Sequence, residues 1–294
     1  MKYFFLLFLF CCFTSCCGTK QIVAENTEEK VIVAETSKPI EKEDIIEISE
    51  PIKETQTTET IPQETKVEVV EPIVEHDTTL ESFNHIAFNT LLKKHVSKNG
   101  NINYKGFKND RTLLSNYIKS LSENMPDETW SKEDKLAYWI NAYNAMTIDL
   151  ILRHYPIKSI KDIKRPWEQR HWKLGNKWYN LNEIEHDILR KMNDPRIHFA
   201  IVCASVSCPK LQKEAFTASN LEDQLTNATK EFLSDSSKNN ISTNNLKLSK
   251  IFQWFAKDFK TNGSLIDFLN QYSDIKISAK AKKTFKSYNW NLNE

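Results

Sequence analysis

An α+β fold, one compact domain with a central buried helix packed on a small mixed sheet and preceded by a disordered tether, is predicted by three observations. Aromatic residues able to build a core are confined to the later part of the chain: all seven Trp lie beyond residue 129, and residues 21–80 hold no Trp, Tyr or Phe. One helical periodicity, Lys132 to His154, carries apolar residues on nearly every face. Around it, helical and strand-like segments follow one another without a steady strand–helix–strand alternation, which argues against a doubly wound sheet. The core-forming part is roughly 215 residues, one ordinary domain able to bury about 70% of its unfolded surface without disulfide staples.

The formal net charge of +1 conceals a partition. Residues 1–20 carry two bases and no acid, residues 21–80 carry 16 acids and 5 bases, and residues 81–294 carry 23 acids and 33 bases. The segments are therefore +2, −11 and +10. A basic start, an apolar run from Tyr3 to Phe13 and small residues before a cut site describe a signal peptide over residues 1–15, too short to span a bilayer. Phe13-Thr14-Ser15-Cys16 resembles the bacterial lipoprotein signal, which implies that Cys16 is acylated as the mature N-terminus and that several acyl chains anchor it. Residues 16–78 form an acidic linker with Pro39, Pro51, Pro62 and Pro72. With no aromatic residue it is expected to stay disordered. As a flexible tether of about 60 residues it would average roughly 45 Å end to end.

The domain, residues 79–294, opens with a helix expected from Leu80 to Val96, stopped by Gly100. Ile102 to Phe107 reads as a short strand and Arg111 to Leu121 as a helix. The central helix has Ser131 as N-cap and Pro156 beyond its end, and leaves Lys135, Tyr138, Ala142, Asp149 and Arg153 as a narrow strip for solvent. His171 to Leu181 reads as a hairpin turning at Gly175-Asn176, and Asn182 to Lys191 as a short helix. Ile197 to Cys203, with His198 its one polar residue, reads as a strand buried on both faces. Then follow a helix from Asn220 to Leu233, a polar hairpin from Asn239 to Leu248, a helix capped by Ser249 and running through Phe259, a helix from Leu265 to Tyr272 and a last strand at Ile275 to Ser278.

Several polar residues fall where apolar ones are expected. Asn141 and Asn144 share a buried face, where an unpaired amide costs about 1 to 3 kcal/mol, so each needs partners. They either tie down a loop backbone or orient a catalytic imidazole. Glu185 lies within an apolar arc and His186 at its margin, which requires either a salt bridge or a cleft. On a strand His198 and Cys203 would face opposite ways, roughly 17 Å apart, and could form no dyad. Cys208-Pro209 suits a helix start, a setting that lowers a thiol pKa and offers backbone donors to an oxyanion. Cys203 and Cys208 could be a disulfide, reactive thiols, inert thiols or part of a zinc site. Zinc would need His186, His198, Cys203 and Cys208 together, which opposite strand faces oppose, so no metal or other cofactor is expected.

Trp139-Ile140-Asn141-Ala142-Tyr143-Asn144-Ala145, Ile184-Glu185-His186, Asp194-Pro195-Arg196, His198-Phe199-Ala200 and Ser207-Cys208-Pro209 resemble the domain-of-unknown-function 547 family. Leu248 to Phe252, Trp254, Asp258-Phe259 and Tyr288-Asn289-Trp290 look like its C-terminal blocks, so the resemblance spans roughly Phe83 to Trp290. It implies an α+β domain common in bacterial envelope and secreted proteins, and names no chemistry. Ala204 departs from the Gly expected in many relatives.

Two function classes follow. One is a membrane-tethered binding or structural module of the cell envelope, expected at the outer membrane of a Gram-negative bacterium, with an anionic envelope polymer or a peptide as partner. The other is a thiol-dependent hydrolase or acyl transferase acting on an envelope peptide or amide. There Cys208 (or Cys203) is the nucleophile, His186 the base, Asn141 or Glu185 the orienter, and the backbone from Ser207 to Lys210 the oxyanion hole. No phosphate loop, dinucleotide fingerprint, nucleophile elbow or paired-cysteine zinc spacing occurs, and five Gly are few for phosphate-cradling loops. Export argues against a nucleic-acid partner.

Overall fold

The computed structural model describes residues 82–294. The expected signal peptide, the Cys16 anchor, the acidic linker and the Leu80 helix start lie outside the described residues.

The first helix, α1 (Ile86–His95), begins later than the periodicity suggests because Asn84 Oδ1 accepts the Ile86 N–H at 2.7 Å and ends the preceding turn. The strand expected at Ile102 to Phe107 shrinks to one bridge, Val96 to Ile102. Asn103 then caps α2 (Tyr104–Asn109), its Oδ1 accepting the Gly106 N–H at 2.7 Å. A local cap here overrides strand-like alternation. Next comes α3 (Arg111–Glu123).

The central helix α4 (Lys132–His154) starts on Ser131, whose Oγ accepts the Asp134 N–H at 2.9 Å, and carries Glu133 and Asp134 where the helix dipole favours acids. Every residue from Leu136 to Leu152 is buried. The solvent strip is therefore absent over Tyr138, Ala142 and Asp149. Tyr138 Oη donates to the Leu121 carbonyl at 2.6 Å, and Asp149 accepts from Trp172 Nε1 at 2.8 Å and Arg153 Nε at 2.7 Å. Bonded polar tips let a helix be enclosed all round. Burial of each large apolar side chain contributes about 1.5 to 3 kcal/mol.

The hairpin β1 (Trp172–Leu174) and β2 (Lys177–Tyr179) turns at Gly175-Asn176 as expected. Asn180 and Glu183 form a capping box for α5 (Leu181–Glu183), which continues as a π turn over Ile184–Ile188 and a tighter turn over Leu189–Met192.

The buried strand at Ile197 to Cys203 does not form. In its place stands one helical turn, α6 (Ile197–Ala200), after which the backbone is extended from Ile201. Asp194-Pro195-Arg196 starts the turn: the Asp194 carbonyl accepts the Ile197 N–H at 3.2 Å and its Oδ1 the Arg196 N–H at 3.0 Å. A short apolar run is compatible with either state, and Pro at a first turn favours helix. No helix follows Cys208-Pro209 either, since the Cys208 N–H closes a turn on Ser205 and the chain then runs irregularly to α7 (Leu221–Ser234).

Strands β3 (Asn240–Ile241) and β4 (Asn245–Leu248) pair antiparallel, and β5 (Lys282–Phe285) joins β4 in parallel, with Leu246 opposite Lys283 and Leu248 opposite Phe285. The small sheet is thus mixed. The last strand lies beyond Ile275 to Ser278, where Ile277 is instead clasped by Asn270 through bonds of 2.8 and 3.1 Å. Polar Lys282-Lys283-Thr284 hides this edge strand from hydropathy. The helix expected from Ser249 to Phe259 is split into α8 (Ile251–Trp254) and a turn at Asp258–Lys260, and α9 (Leu265–Tyr272) follows. Core residues fall into two clusters, one around α4 and one joining Phe199 to the sheet, α8 and α9. Among the described residues no helix is long and apolar enough to cross a membrane.

Candidate functional site

A cavity of about 290 Å³ lies where α4, the π turn, α6 and the C-terminal stretch converge. Its polar lining includes Tyr143, Glu185, His186 and His198, and the Cys203 and Cys208 side chains line it too. Its apolar lining includes Trp167, Trp254, Phe255, Tyr288 and Trp290.

Glu185 is presented by the π turn, a widened geometry often found at functional positions. It is buried, and among the described residues its hydrogen-bond partner is the Tyr143 hydroxyl, which donates to Oε2 at 3.1 Å. Among the described residues no cation pairs with it directly, and burial pushes its carboxyl up to about 7. The Oε1 atom is left to the cavity.

His186, its neighbour, receives a hydrogen bond at Nδ1 from Arg190 Nη1 at 2.7 Å. A guanidinium only donates, so Nδ1 is the unprotonated nitrogen and Nε2 carries the hydrogen of the neutral ring. Burial and the Arg190 charge hold this ring's pKa below the usual range. The ring thus presents an N–H, and the lone pair a general base would need is already engaged. Arg190 in turn grips Asp258 with two bonds, 2.7 and 2.8 Å, and Asp258 Oδ2 lies 2.8 Å from His198 Nε2. His198 is buried, stacked on Phe255 with ring centroids 4.0 Å apart, and burial lowers its pKa. Bonds from Arg190 and His198 hold the Asp258 carboxyl far below the ordinary range despite its partial burial. Asp258 therefore links the two imidazoles, one directly and one through Arg190.

Asn141 does not reach the cavity. Its amide clasps the Phe216 backbone, Nδ2 donating to the carbonyl at 2.7 Å and Oδ1 accepting the N–H at 3.0 Å, so of its two expected roles Asn141 takes the loop tie and not the orienting one. Asn144 does the same across the exit of α6, donating to the Ala200 carbonyl at 2.9 Å and accepting the Val202 N–H at 3.0 Å. That clasp sets the path of the chain into Cys203.

Cys203 and Cys208 are joined by a disulfide with Cα atoms 6.3 Å apart, within the usual span. The loop between them bends at Ala204, whose φ of 55° is left-handed, which is the physical reason a Gly suits that position. The loop is also bound to the C-terminal stretch: the Val206 N–H donates to Asn291 and the Ser207 N–H to Asn289. Of the oxyanion hole expected from Ser207 to Lys210, the Lys210 N–H alone is left without a partner among the described residues. The Ser207 and Cys208 N–H groups are already bonded within the protein, and Pro209 has none. The Tyr288 hydroxyl lies 3.3 Å from each sulfur. Its ring packs with Trp254 and Trp290 into an aromatic wall, centroids 4.5 to 5.7 Å apart.

Sequence reasoning brought forward Glu185, His186, His198 and both cysteines, which share the cavity. It assigned no role to Asp258, Arg190, Tyr288 or Trp290, although the blocks containing Asp258 and Tyr288-Asn289-Trp290 were the available signal. The zinc grouping is not formed: among the described residues no cluster of three or more His, Cys, Asp or Glu could hold a metal ion.

Residues 128–233 match a family model described as "Protein of unknown function, DUF547". The matched stretch runs from α4 into the last turn of α7 and holds Tyr143, Glu185, His186, His198 and both cysteines, and ends before Asp258 and Tyr288. No curated protein and no solved structure matches the chain.

Proposed function

We propose that this chain is a cell-envelope protein held at a membrane through Cys16, whose domain binds a small ligand in the Glu185 cavity. The ligand has an apolar or aromatic body and an amine, as the amino end of an envelope peptide does. The observation that carries this reading is a buried carboxyl with one oxygen turned to a cavity walled by Trp254, Tyr288 and Trp290. A buried carboxylate without a cation is costly, and a bound ammonium would offset that cost through a charge-assisted bond. Aromatic faces add attraction for the cation and area for the body. An anionic polymer gains nothing from such a carboxyl. The test is a tryptophan-fluorescence titration of the full chain with phenethylamine at pH 8. Binding should weaken about tenfold or more in Glu185→Gln, because one charge-assisted bond contributes roughly 1.5 to 3 kcal/mol. Equal affinity for both proteins would refute it.

The hydrolase reading is favoured by one observation, that both cysteines, Glu185 and His186 line the same cavity. It requires the reduced pair and passes the base role to Glu185, since His186 Nδ1 is engaged by Arg190. After reduction, alkylation of Cys208 that remains fast below pH 7 supports this reading; alkylation that rises only through pH 8.5, as for an ordinary thiol, counts against it.

A further inference from the structure

We infer that the Cys203–Cys208 pair is a thiol–disulfide exchange site that oxidises a dithiol entering the cavity, with Cys203 the sulfur attacked and Cys208 the sulfur released. This goes beyond ligand binding at Glu185 and does not depend on it.

The two sulfurs are not equivalent. Cys203 is half-buried while Cys208 is 4% exposed, and both line the cavity. The Cys203 N–H donates at 3.0 Å to Cys208 Sγ alone, while the Ser205 and Tyr288 hydroxyls lie 3.3 to 3.4 Å from both sulfurs and can turn to the one that carries charge. A disulfide sulfur is a weak acceptor, so these donors gain little until the sulfur carries charge. Around a departing thiolate each becomes a charge-assisted bond. A lower thiol pKa makes a faster leaving group. The left-handed backbone at Ala204, between the two cysteines, adds strain of the kind found at functional loops.

The reaction balances without a further reagent. One thiolate of the dithiol attacks Cys203 Sγ; a substrate-to-Cys203 bond forms, the Cys203–Cys208 bond breaks, and its electron pair leaves on Cys208 Sγ. The second substrate thiolate then attacks the substrate sulfur of this mixed disulfide and releases Cys203 as a thiolate. The substrate loses two electrons and two protons and becomes a disulfide, and the pair gains both as two thiols.

The test follows reduction of the oxidised full chain by dithiothreitol, with free thiols alkylated and mapped by mass spectrometry. Reduction of the folded chain should be about tenfold or more faster than that of the same chain in concentrated urea, and Tyr288→Phe and Ser205→Ala should each slow it severalfold. In the reduced state, Cys208→Ser should take up glutathione from glutathione disulfide at Cys203 at least about tenfold faster than Cys203→Ser does at Cys208. A disulfide that resists dithiothreitol until urea is added would overturn the proposal without any variant, and so would equal capture at Cys203 and at Cys208 in the two variants. Phenethylamine binding reads a separate property, so the two proposals fail separately.

Discussion

Tyr143 and Glu185, 42 residues apart in the chain, meet beside the cavity through a 3.1 Å hydrogen bond in which the phenol donates. The phenol satisfies one carboxyl oxygen without neutralising its charge. Burial therefore governs the site, pushing the Glu185 carboxyl up to about 7.

Stability should record that burial. Below about pH 4 the carboxyl is protonated in folded and unfolded chains alike and no penalty arises. Between about 4.3, the unfolded value, and 7 the unfolded chain has released a proton that the folded one retains, so stability falls as pH rises, by about 3 kcal/mol in all. Urea unfolding at pH 5 and pH 8 checks this: the stability of wild type relative to Glu185→Gln should fall by that order, and a constant difference would contradict it.

Ligand affinity should run the other way. A cationic amine binds the ionised carboxylate, so phenethylamine affinity should rise with pH up to about 7 and then level off. Below that value it should lose roughly tenfold per pH unit. The profile should be flat in Glu185→Gln.

Outside the cavity lining, His85 is buried against the Tyr117 hydroxyl, 2.7 Å from its Nδ1, and burial lowers its pKa to about 4. The unfolded chain takes up a proton near pH 6.5 that the folded chain resists until about 4. Stability from this group is thus present above about 6.5 and lost as pH falls to 4, by about 3 kcal/mol. Relative to wild type, His85→Asn should become progressively more stable over that window as the solution is acidified, measured by the same unfolding experiment.

Asn144→Ala and Asn141→Ala should each cost about 2 to 4 kcal/mol, because each leaves a backbone carbonyl and a backbone N–H without a partner. Their effects on the cavity should differ. Asn144 holds the backbone at Ala200 and Val202, just before Cys203, so its loss should change the rate at which dithiothreitol reduces the disulfide. Asn141 holds Phe216, away from the cavity, and its loss should leave that rate unchanged.

Much of the helical framework was legible because its signals are local. Ser131 and Pro156 bound α4, and apolar spacing alone located α3, α7 and α9. The misreadings share a cause. Ile197 to Cys203 is apolar apart from His198, so periodicity could not separate a buried helical turn from a buried strand, and Asp194-Pro195 was the deciding signal. Strand β5 is polar and was invisible to hydropathy. At the site, Glu185, His186 and the cysteines stood out as polar or reactive groups in apolar surroundings. Asp258 and Tyr288 did not, because they reach His198 and Cys203 across 60 and 85 residues of chain. Only the tertiary fold brings them there.

The central claim is that Glu185 receives a ligand's amine inside the cavity. A crystal structure of the full chain with phenethylamine tests it most directly. The expected result is the ring against Trp254, Tyr288 or Trp290 and the nitrogen within about 3 Å of Glu185 Oε1. An empty cavity, or a bound amine turned away from Glu185 toward solvent, would contradict it.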